Sequence, residues 1–260
     1  MRLKTPSEIA AMRRAGEVVA VALRTMAAAI VPNKTTTLEL DEIAAAVLKR
    51  YGAKAPLYGY KPSFSEVPYM HNTCISVNDE VIHGVPDARR VLQEGDLVSL
   101  DMDGSVDGWC ADATITVPVG KVSGKAKKLL QVTREALQMG IAQARPGNTI
   151  GDVGYTVQRH VEKNGFSVVR EMVGHGIGRM PHEPGLDVPN WGKPGEGQII
   201  QVGMTFCIEP MVNAGKPEIA HVDGDPWTIV SADGSLACHF EHTVAITADG
   251  PIILTLPPKD

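Results

Sequence analysis

The chain has 260 residues, enough for a single domain over 1–260 that buries most of its unfolded surface. With 43% hydrophobic and 21% charged residues it has a globular composition, and its net charge of -5 gives no overall attraction to nucleic acid. No run approaches the roughly 18 apolar residues that a membrane helix needs, and the four cysteines form no CxxC pair. We therefore expect a cytoplasmic protein with reduced cysteines, no membrane attachment and no direct nucleic-acid binding.

Four amphipathic helices are predicted from apolar residues that recur with a period of 3.6. The first begins at Thr5-Pro6-Ser7-Glu8, a capping box with proline at the first helical position. Because Arg24 interrupts the alanine-rich run that follows, this segment is a helix and not a signal peptide. Glycines at the ends of two periodic runs mark helix termini. The predicted helices span 6–30, 38–51, 124–144 and 150–164.

Strand-like runs follow the helices in each half of the chain. They are rich in β-branched residues and bounded by turn residues. Helices that precede strands favour an α+β fold, in which an antiparallel or mixed sheet is covered by helices on one side. The predicted strands are 73–78, 96–103, 109–119, 166–173, 203–212 and 236–247, with a hairpin around 219–231.

A faint internal repeat divides the chain into two halves. The segment LQEGDLVSLD at 92–101 aligns without gaps with IQVGMTFCIE at 200–209, and DATITV matches EHTVAI further along each half. Each match alone is weak, but the matches occur in the same order in both halves, which chance does not readily produce. We infer two structurally similar halves, about 10–120 and 125–255, packed as one domain.

Acidic residues lie inside the predicted strands, where they are unusual. A turn within 104–108 would place Asp101 and Asp112 nearly opposite each other on adjacent strands. Opposed residues share a face with Cβ atoms about 5 Å apart, so two ionised carboxylates would repel unless a cation lay between them. Glu209 and Glu241 hold the equivalent positions of the second half. Surface acids or ion pairs are the simpler interpretation of any one residue, but four repeat-related acids favour a metal site.

The stretch MVGHGIGRMPHEPG at 172–185 supplies an imidazole to this set. Gly174 and Gly176 flank His175 and leave room for a substrate or a neighbouring strand. Four carboxylates and one imidazole suit one or two first-row divalent ions, and suit calcium less. The stretch matches neither the GxGxxG dinucleotide motif nor a zincin motif.

These residues together resemble the type I methionine aminopeptidases, which have the pita-bread fold. VNDEVIHGVPD, TFCIEPM and FEHTVAIT add to the resemblance, which covers nearly the whole chain. It implies two pseudo-symmetric halves with helices covering the sheet around a central dinuclear metal site. Two divalent ions (Co, Mn, Fe or Zn) would be bound there, with Asp112 and Glu241 bridging. The implied ligands are Asp101, Asp112, His175, Glu209 and Glu241.

The resemblance also implies an activity and three residue roles. A metal-activated water would release N-terminal methionine from peptides and nascent proteins, with a preference for a small second residue. Glu209 would accept the proton of that water. His182 would stabilise the oxyanion and His83 would hydrogen-bond the peptide near the scissile amide, so both histidines would bind substrate. We expect a monomer that works near the ribosome.

Several further residues lie close to the implied ligands in sequence. Alternation places Cys110 and Cys207 on the ligand face, where we expect small neutral packing residues. His239 would lie beside the metal site, and His242 would point the other way. Trp227 is either an aromatic residue at the pocket edge or a core residue.

Two positions depart from the pattern of the resembled family. The segment 60–73 is longer than the corresponding loop of bacterial members, where it helps to wall the methionine pocket. Pro181 stands where many relatives carry an aromatic residue that closes the pocket. The candidates for the pocket wall are Tyr58, Tyr60, Tyr69 and Met70.

Two other functions are compatible with the same ligands or fold. X-Pro aminopeptidases and prolidases share all five ligands but usually carry a large additional N-terminal domain, for which we expect 260 residues to be too few. Some pita-bread proteins have lost their metals and bind ribosomes, histones or nucleic acid. The presence of all five ligands argues against such a binding module, because function follows the site and not the fold.

Overall fold

A computed structural model describes residues 2–61 and 67–258 of the chain. Each predicted helix is confirmed to within one residue at either end. No helix in these two ranges is both long enough and apolar enough to span a membrane. The helices are α1 (Pro6–Ala29), α2 (Thr37–Arg50), α3 (Gly124–Gln143) and α4 (Ile150–Lys163).

The helix starts are held by side chains that satisfy free backbone N–H groups. At α1 the Glu8 amide donates to Thr5 Oγ1 at 3.4 Å, and the Thr5 amide donates to Glu8 Oε2 at 2.9 Å, as the predicted capping box requires. Thr36 and Thr149 begin α2 and α4 in the same way. The local sequence therefore fixes where these three helices begin.

The strands of the described residues are mostly short. Four lie between α2 and α3: β1 (Cys74–Val77), β2 (Glu80–Ile82), β3 (Leu97–Val106) and β4 (Trp109–Pro118). Strand β5 (Ser167–Val168) follows α4. The next five are β6 (Gly174–Gly176), β7 (Glu183–Val188), β8 (Thr205–Ile208), β9 (Met211–Asn213) and β10 (Ile219–His221). The last four are β11 (Ile229–Ser231), β12 (Ala237–His239), β13 (Glu241–Thr247) and β14 (Gly250–Ile253).

The predicted strands agree with this arrangement except where glycine and proline intervene. The runs 203–212 and 236–247 each contain two strands, and only two residues of 166–173 form one. The strands β2, β6, β7 and β14 were not predicted from the sequence. Strands this short, or this rich in glycine, carry too few alternating residues to give a pattern.

One large antiparallel sheet connects the two parts of the chain. Its strand order is β1-β3-β4-β13-β8-β6-β7, and β14 pairs with residues 244–247 of β13. The pairing of β4 with β13 places Glu241 opposite Thr114. Two smaller sheets, β10-β11-β2 and β12-β9-β5, complete the pairing within the described residues. The join between β4 and β13 brings the acidic strands of the two parts side by side.

The β3–β4 hairpin turns more tightly than the sequence analysis predicted. Its turn is Asp107-Gly108 alone, with φ angles of 52° and 73°, the left-handed values of a two-residue hairpin turn. Asp101 therefore pairs with Thr114, and Asp112 lies directly opposite Asp103. The prediction that Asp101 and Asp112 oppose each other was wrong by two residues, although both still point to one face.

Alternation along β3 separates the core from the acidic face. Val98, Leu100 and Met102 are buried in one cluster with Leu23 of α1 and Leu40 of α2. The intervening acids of β3 point to the opposite face, because successive side chains of a strand alternate. Burial of the apolar face against the helices thus fixes which side of the sheet receives the acids.

Helix α1 also packs closely on the chain that follows β14. A Cβ atom on Gly16 would lie 2.3 Å from the carbonyl oxygen of Leu254, so no side chain fits there.

Gly16→Ala should lower the free energy of unfolding by about 1–3 kcal/mol through this backbone clash, despite alanine's better helix propensity. Gly124→Ala at the start of α3, where nothing lies within 4 Å, is the matched control and should not destabilise. Urea titrations of both variants measure the difference; equal stabilities would contradict the close approach.

Candidate metal centre

Five predicted ligand residues line one cavity of about 520 Å³. They come from neighbouring strands of the large sheet: β3, β4, β13, β8 and β6. Glu209 directly follows β8 and Glu241 is the first residue of β13, so both reach the edge where the strands meet the cavity. The structure brings together all five of Asp101, Asp112, His175, Glu209 and Glu241.

The distances between these groups suit shared cations. His175 Nε2 lies 3.7 Å from Asp112 Oδ2 and 3.6 Å from Glu209 Oε1. One potential ligand atom from each of Asp112, His175 and Glu241 falls within 4.8 Å of the others. Thr114 Oγ1 lies 2.7 Å from Asp101 Oδ1 and 2.9 Å from Glu241 Oε2, and so connects the remaining pair of acids. Sequence reasoning missed Thr114, because a threonine in a strand is ordinary.

His175 is oriented for ligation through Nε2. Its Nδ1 lies 3.2 Å from the carbonyl oxygen of Gly176, so a hydrogen on Nδ1 is donated there and the lone pair of Nε2 faces the acids. Burial, together with the nearby His182, lowers the pKa of His175 to about 3. The imidazole is therefore neutral at physiological pH, as a metal ligand must be.

Glycine at 174 allows β6 to approach β8. A Cβ atom on Gly174 would lie 2.4 Å from the carbonyl oxygen of Cys207. We expected the absence of a side chain at Gly174 to make room for either a substrate or a neighbouring strand. The structure shows that the strand β8 occupies this space. This close approach sets the position of His175 beside Glu209.

Among the described residues, no lysine or arginine forms an ion pair with these carboxylates. Burial raises the pKa of Asp101 to about 8, and burial followed by repulsion from neighbouring acids raises the pKa of Glu209 and Glu241 well above the usual range. Asp112 Oδ1 and Glu241 Oε1 are buried without a hydrogen-bond partner among the described residues. Orphaned oxygens facing a neutral imidazole are a set that divalent ions satisfy, so the residues fit the implied metals.

The neighbouring cysteines are buried thiols. Cys110 lies in an apolar cluster, and burial raises its pKa to about 11. Cys207 is fully buried, and its Sγ falls within the same 4.8 Å group as the ligand atoms of Asp112, His175 and Glu241. Burial and the surrounding acids raise the pKa of Cys207, which keeps the thiol neutral. A neutral thiol is a poor ligand beside carboxylates, in agreement with a packing role.

The remaining histidines differ in their direction. His239 is buried with Nε2 3.7 Å from Glu209 Oε2, beside the acids as predicted. His242 points away and places Nδ1 2.8 Å from Thr255 Oγ1, also as predicted. His83 and His182 both line the cavity. The side chain of His182 is exposed and its ring centroid lies 4.1 Å from that of His175, at the open side.

An aromatic wall stands beside the acids. Tyr69 and Trp227 are buried in a cluster with Cys74, and their rings are 5.0 Å apart at 73°. Both line the cavity, so Trp227 is at once a core residue and part of the pocket edge. Tyr60 also lines it, with its ring centroid 6.1 Å from that of His182.

The other predicted pocket residues lie elsewhere. Of the four candidates for the wall, Tyr58 and Met70 are exposed and are not among the residues that line the cavity. Pro181 is likewise not among the lining residues. Residues 62–66 of the unusually long segment lie outside the described part of the chain.

Similar proteins share both the fold and the length of this chain. The profile of metallopeptidase family M24 matches residues 10–248. A methionine aminopeptidase of Aquifex aeolicus is 43% identical over 258 residues, covering 98% of each chain. The crystal structure of a methionine aminopeptidase from Thermotoga maritima has a TM-score of 0.93 at 43% identity and covers 98% of this chain and 99% of that one.

A second group of solved structures shares only the fold. The prolidase from Pyrococcus furiosus has a TM-score of 0.75 at 22% identity, and the match covers 99% of this chain but 66% of the prolidase. The common architecture and the clustered acids define a metal-dependent peptidase with the pita-bread fold, which confirms the predicted α+β class. The chain belongs to metallopeptidase family M24. It is a hydrolase that uses divalent metal.

The raised pKa values predict how the metal-free protein responds to pH. Carboxyl groups that stay protonated in the folded state stabilise it fully below their ordinary pKa of about 4, and the contribution is lost as the pH rises through their folded values. Those values are about 7 for Asp103 and about 8 for Asp101. Buried histidines oppose this only below their ordinary pKa of about 6.5. The carboxyl groups therefore dominate from about pH 7 to 8.5.

We expect the Tm of chelator-treated protein to fall across that range. The Tm of protein loaded with Mn²⁺ should fall less over the same pH range, because bound cations replace the protons and favour the ionised acids. Circular dichroism melts of both forms at matched ionic strength measure the effect. If the Tm of the metal-free protein stays constant or rises over this pH range, ionisation of these acids does not destabilise the folded protein.

Proposed function

We propose that this chain removes the N-terminal methionine of peptides and newly made proteins, with a preference for a small second residue. The observation that carries the proposal is a set of buried acids, some of whose oxygens lack a hydrogen-bond partner among the described residues, beside a cavity walled by Tyr69 and Trp227. The cavity combines a chemical group for hydrolysis with an apolar wall for a side chain. Relatives of this length and identity are named methionine aminopeptidases, which supports the same substrate here.

Two divalent ions, each Co, Mn, Fe or Zn, would be held by the five predicted ligands, with Asp112 and Glu241 shared. When bound, such ions activate water and polarise a carbonyl group. Asp112 supports this assignment because its Oδ1 has no hydrogen-bond partner in the described part of the chain, while its Oδ2 lies 3.7 Å from His175 Nε2. Thr243 fixes the backbone of Asp112: its Oγ1 accepts from the Asp112 amide at 2.9 Å and donates to the Asp112 carbonyl at 2.8 Å.

Glu209 accepts the proton of the attacking water in this proposal. Its carboxylate lies between two imidazoles, with Oε1 3.6 Å from His175 Nε2 and Oε2 3.7 Å from His239 Nε2. Without metal, burial and then Asp112 and Asp101 raise the pKa of Glu209. Bound cations would favour its ionised form, which is the form that can accept a proton. The same carboxyl group then carries the proton toward the leaving amine.

The two substrate histidines lie on different sides of the cavity. His182 is at the open side and can donate a hydrogen bond to the carbonyl oxygen that becomes negatively charged. His83 has a left-handed backbone with φ of 58°, which turns its side chain into the cavity after β2. Burial lowers the pKa of His83 to about 4, so it offers a neutral ring to the peptide amide.

The wall explains the choice of side chains. Methionine is unbranched and apolar, and it adapts to an irregular slot between aromatic rings. Tyr69 is rigid there, because its hydroxyl donates to the carbonyl oxygen of Thr73 at 2.9 Å. The second side chain of the peptide points past the acids toward the open side, where a small residue avoids contact with His182. We place the activity in the cytoplasm, where the four free, buried cysteines stay reduced.

Cleavage of four matched peptides tests the specificity. We expect Met-Ala-x to be the best substrate, Met-Leu-x to be slower, and Ala-Pro-x to be the poorest. The kcat/KM of Leu-Ala-x should be about 10- to 200-fold below that of Met-Ala-x. A difference of about one methylene group in an apolar pocket is worth about 1–3 kcal/mol. Release of the first residue is measured under one Mn²⁺ condition. Fastest cleavage of Ala-Pro-x would replace the proposal with a proline-specific peptidase.

A pair of substitutions on one hairpin tests the ligand set. Asp112→Asn removes a shared carboxylate and should reduce kcat by several orders of magnitude. Asp107→Asn makes the same change at the exposed turn, where the side chain pairs with Arg14 at 3.0 Å, and asparagine tolerates its φ of 52°. Activity should remain near that of the unmodified chain. Similar losses in both folded variants would contradict the assignment of Asp112.

A further inference from the structure

A fifth carboxylate, Asp103, enters the metal centre from β3. It lies directly opposite Asp112 in the β3–β4 ladder, so the two side chains share a face. Asp103 is 5% exposed and lines the cavity with the predicted ligands. Sequence reasoning missed it, although alternation from Asp101 would have placed it on the ligand face.

The surroundings of Asp103 offer no positive charge. Its Oδ1 is buried without a hydrogen-bond partner, and in the ranges 2–61 and 67–258 no lysine or arginine forms an ion pair with it. The charged groups that act on it are other acids, Asp101 and Glu209. A buried carboxylate among like charges is strongly unfavourable unless a cation or a proton compensates it.

A shared proton is the competing explanation. Asp103 and Asp112 contact each other through a side-chain hydrogen bond, as a carboxyl pair with one proton would. Within the described part of the chain, Oδ1 of both residues is buried and no other group donates a hydrogen bond to it. One shared proton can satisfy only two of the four oxygens of the carboxyl pair, whereas a cation can be coordinated by oxygens of both residues.

We propose that Asp103 is an additional carboxylate of the metal centre that binds a divalent cation together with Asp112. The four carboxylates of the predicted ligand set carry a formal charge of about -4, which two divalent ions would balance. Asp103 adds one further negative charge and a free oxygen on the Asp112 side. It should therefore raise the affinity of that side for a divalent ion. This inference rests on metal binding alone and does not depend on the methionine specificity.

Metal binding to the full-length chain tests the inference without any peptide. Chelator-treated protein is titrated with MnCl₂ by calorimetry, and bound metal is counted after equilibrium dialysis. Asp103→Asn keeps the shape of the side chain and removes its charge. We expect the Kd of at least one Mn²⁺ equivalent to rise by about 10-fold or more, the range seen when groups around metal ligands are removed. The visible absorption of the Co²⁺-loaded variant should also change, since it reports the number and type of ligands.

Asp107→Asn is the matched control on the same hairpin and should keep its Mn²⁺ affinity and Co²⁺ spectrum. Asp103→Ser serves as a second uncharged variant, so that a folding defect in one does not decide the result. Circular dichroism of the metal-free proteins establishes that each is folded.

An Asp103→Asn protein with unchanged affinity, stoichiometry and Co²⁺ spectrum would overturn the inference and assign Asp103 to a proton-sharing pair. The proposed function can fail separately. Wild-type protein that binds Mn²⁺ through Asp103 but releases no methionine would refute the function and leave this inference standing.

Discussion

Repulsion between buried carboxylates on adjoining strands is the constraint on which the rest of the structure depends. Asp101, Asp103 and Asp112 project from one hairpin, and Glu209 and Glu241 approach them from β8 and β13. Without cations, the acids must be protonated or repel one another, and burial followed by this repulsion raises their pKa values. A sheet that holds such a set in place must obtain its stability elsewhere. It does so on its other face, where the apolar residues of β3 pack against α1 and α2.

Two strand contacts transmit this stability to the metal centre. Thr243 of β13 bonds both backbone groups of Asp112, and Gly174 lets β6 lie against the carbonyl of Cys207. The first contact holds the β4 acid and the second holds His175. Both contacts belong to the backbone framework, so the sheet positions these two candidate ligands. Rigid placement is what a metal site requires of its protein.

The sequence predicted the helices and the five candidate ligands that line one cavity, because each depends on local or strictly periodic signals. Thr5 and Glu8 specify a helix start by themselves, and the acids of β3 and β4 break apolar runs visibly. The hairpin register depended on the turn, and assigning five residues to it when Asp107-Gly108 suffices shifted the pairing by two. Because of that shift, the sequence did not reveal Asp103 as the residue opposite Asp112. Strand β6 was missed because only tertiary contacts with β7 and β8 make three residues a strand.

The metal centre and the pocket wall have different structural origins. The ligands stand on or directly beside strands of one sheet, whereas Tyr60 and Tyr69 come from the connection between α2 and β1. Trp227 lies in the connection between β10 and β11, and its ring contacts that of Tyr69. Changes of length in the α2–β1 connection can therefore reshape the wall and leave the ligands undisturbed. The longer segment 60–73 lies in that connection. Substrate choice can thus vary within this fold while the hydrolytic chemistry is retained, because the two are held by separate parts of the chain.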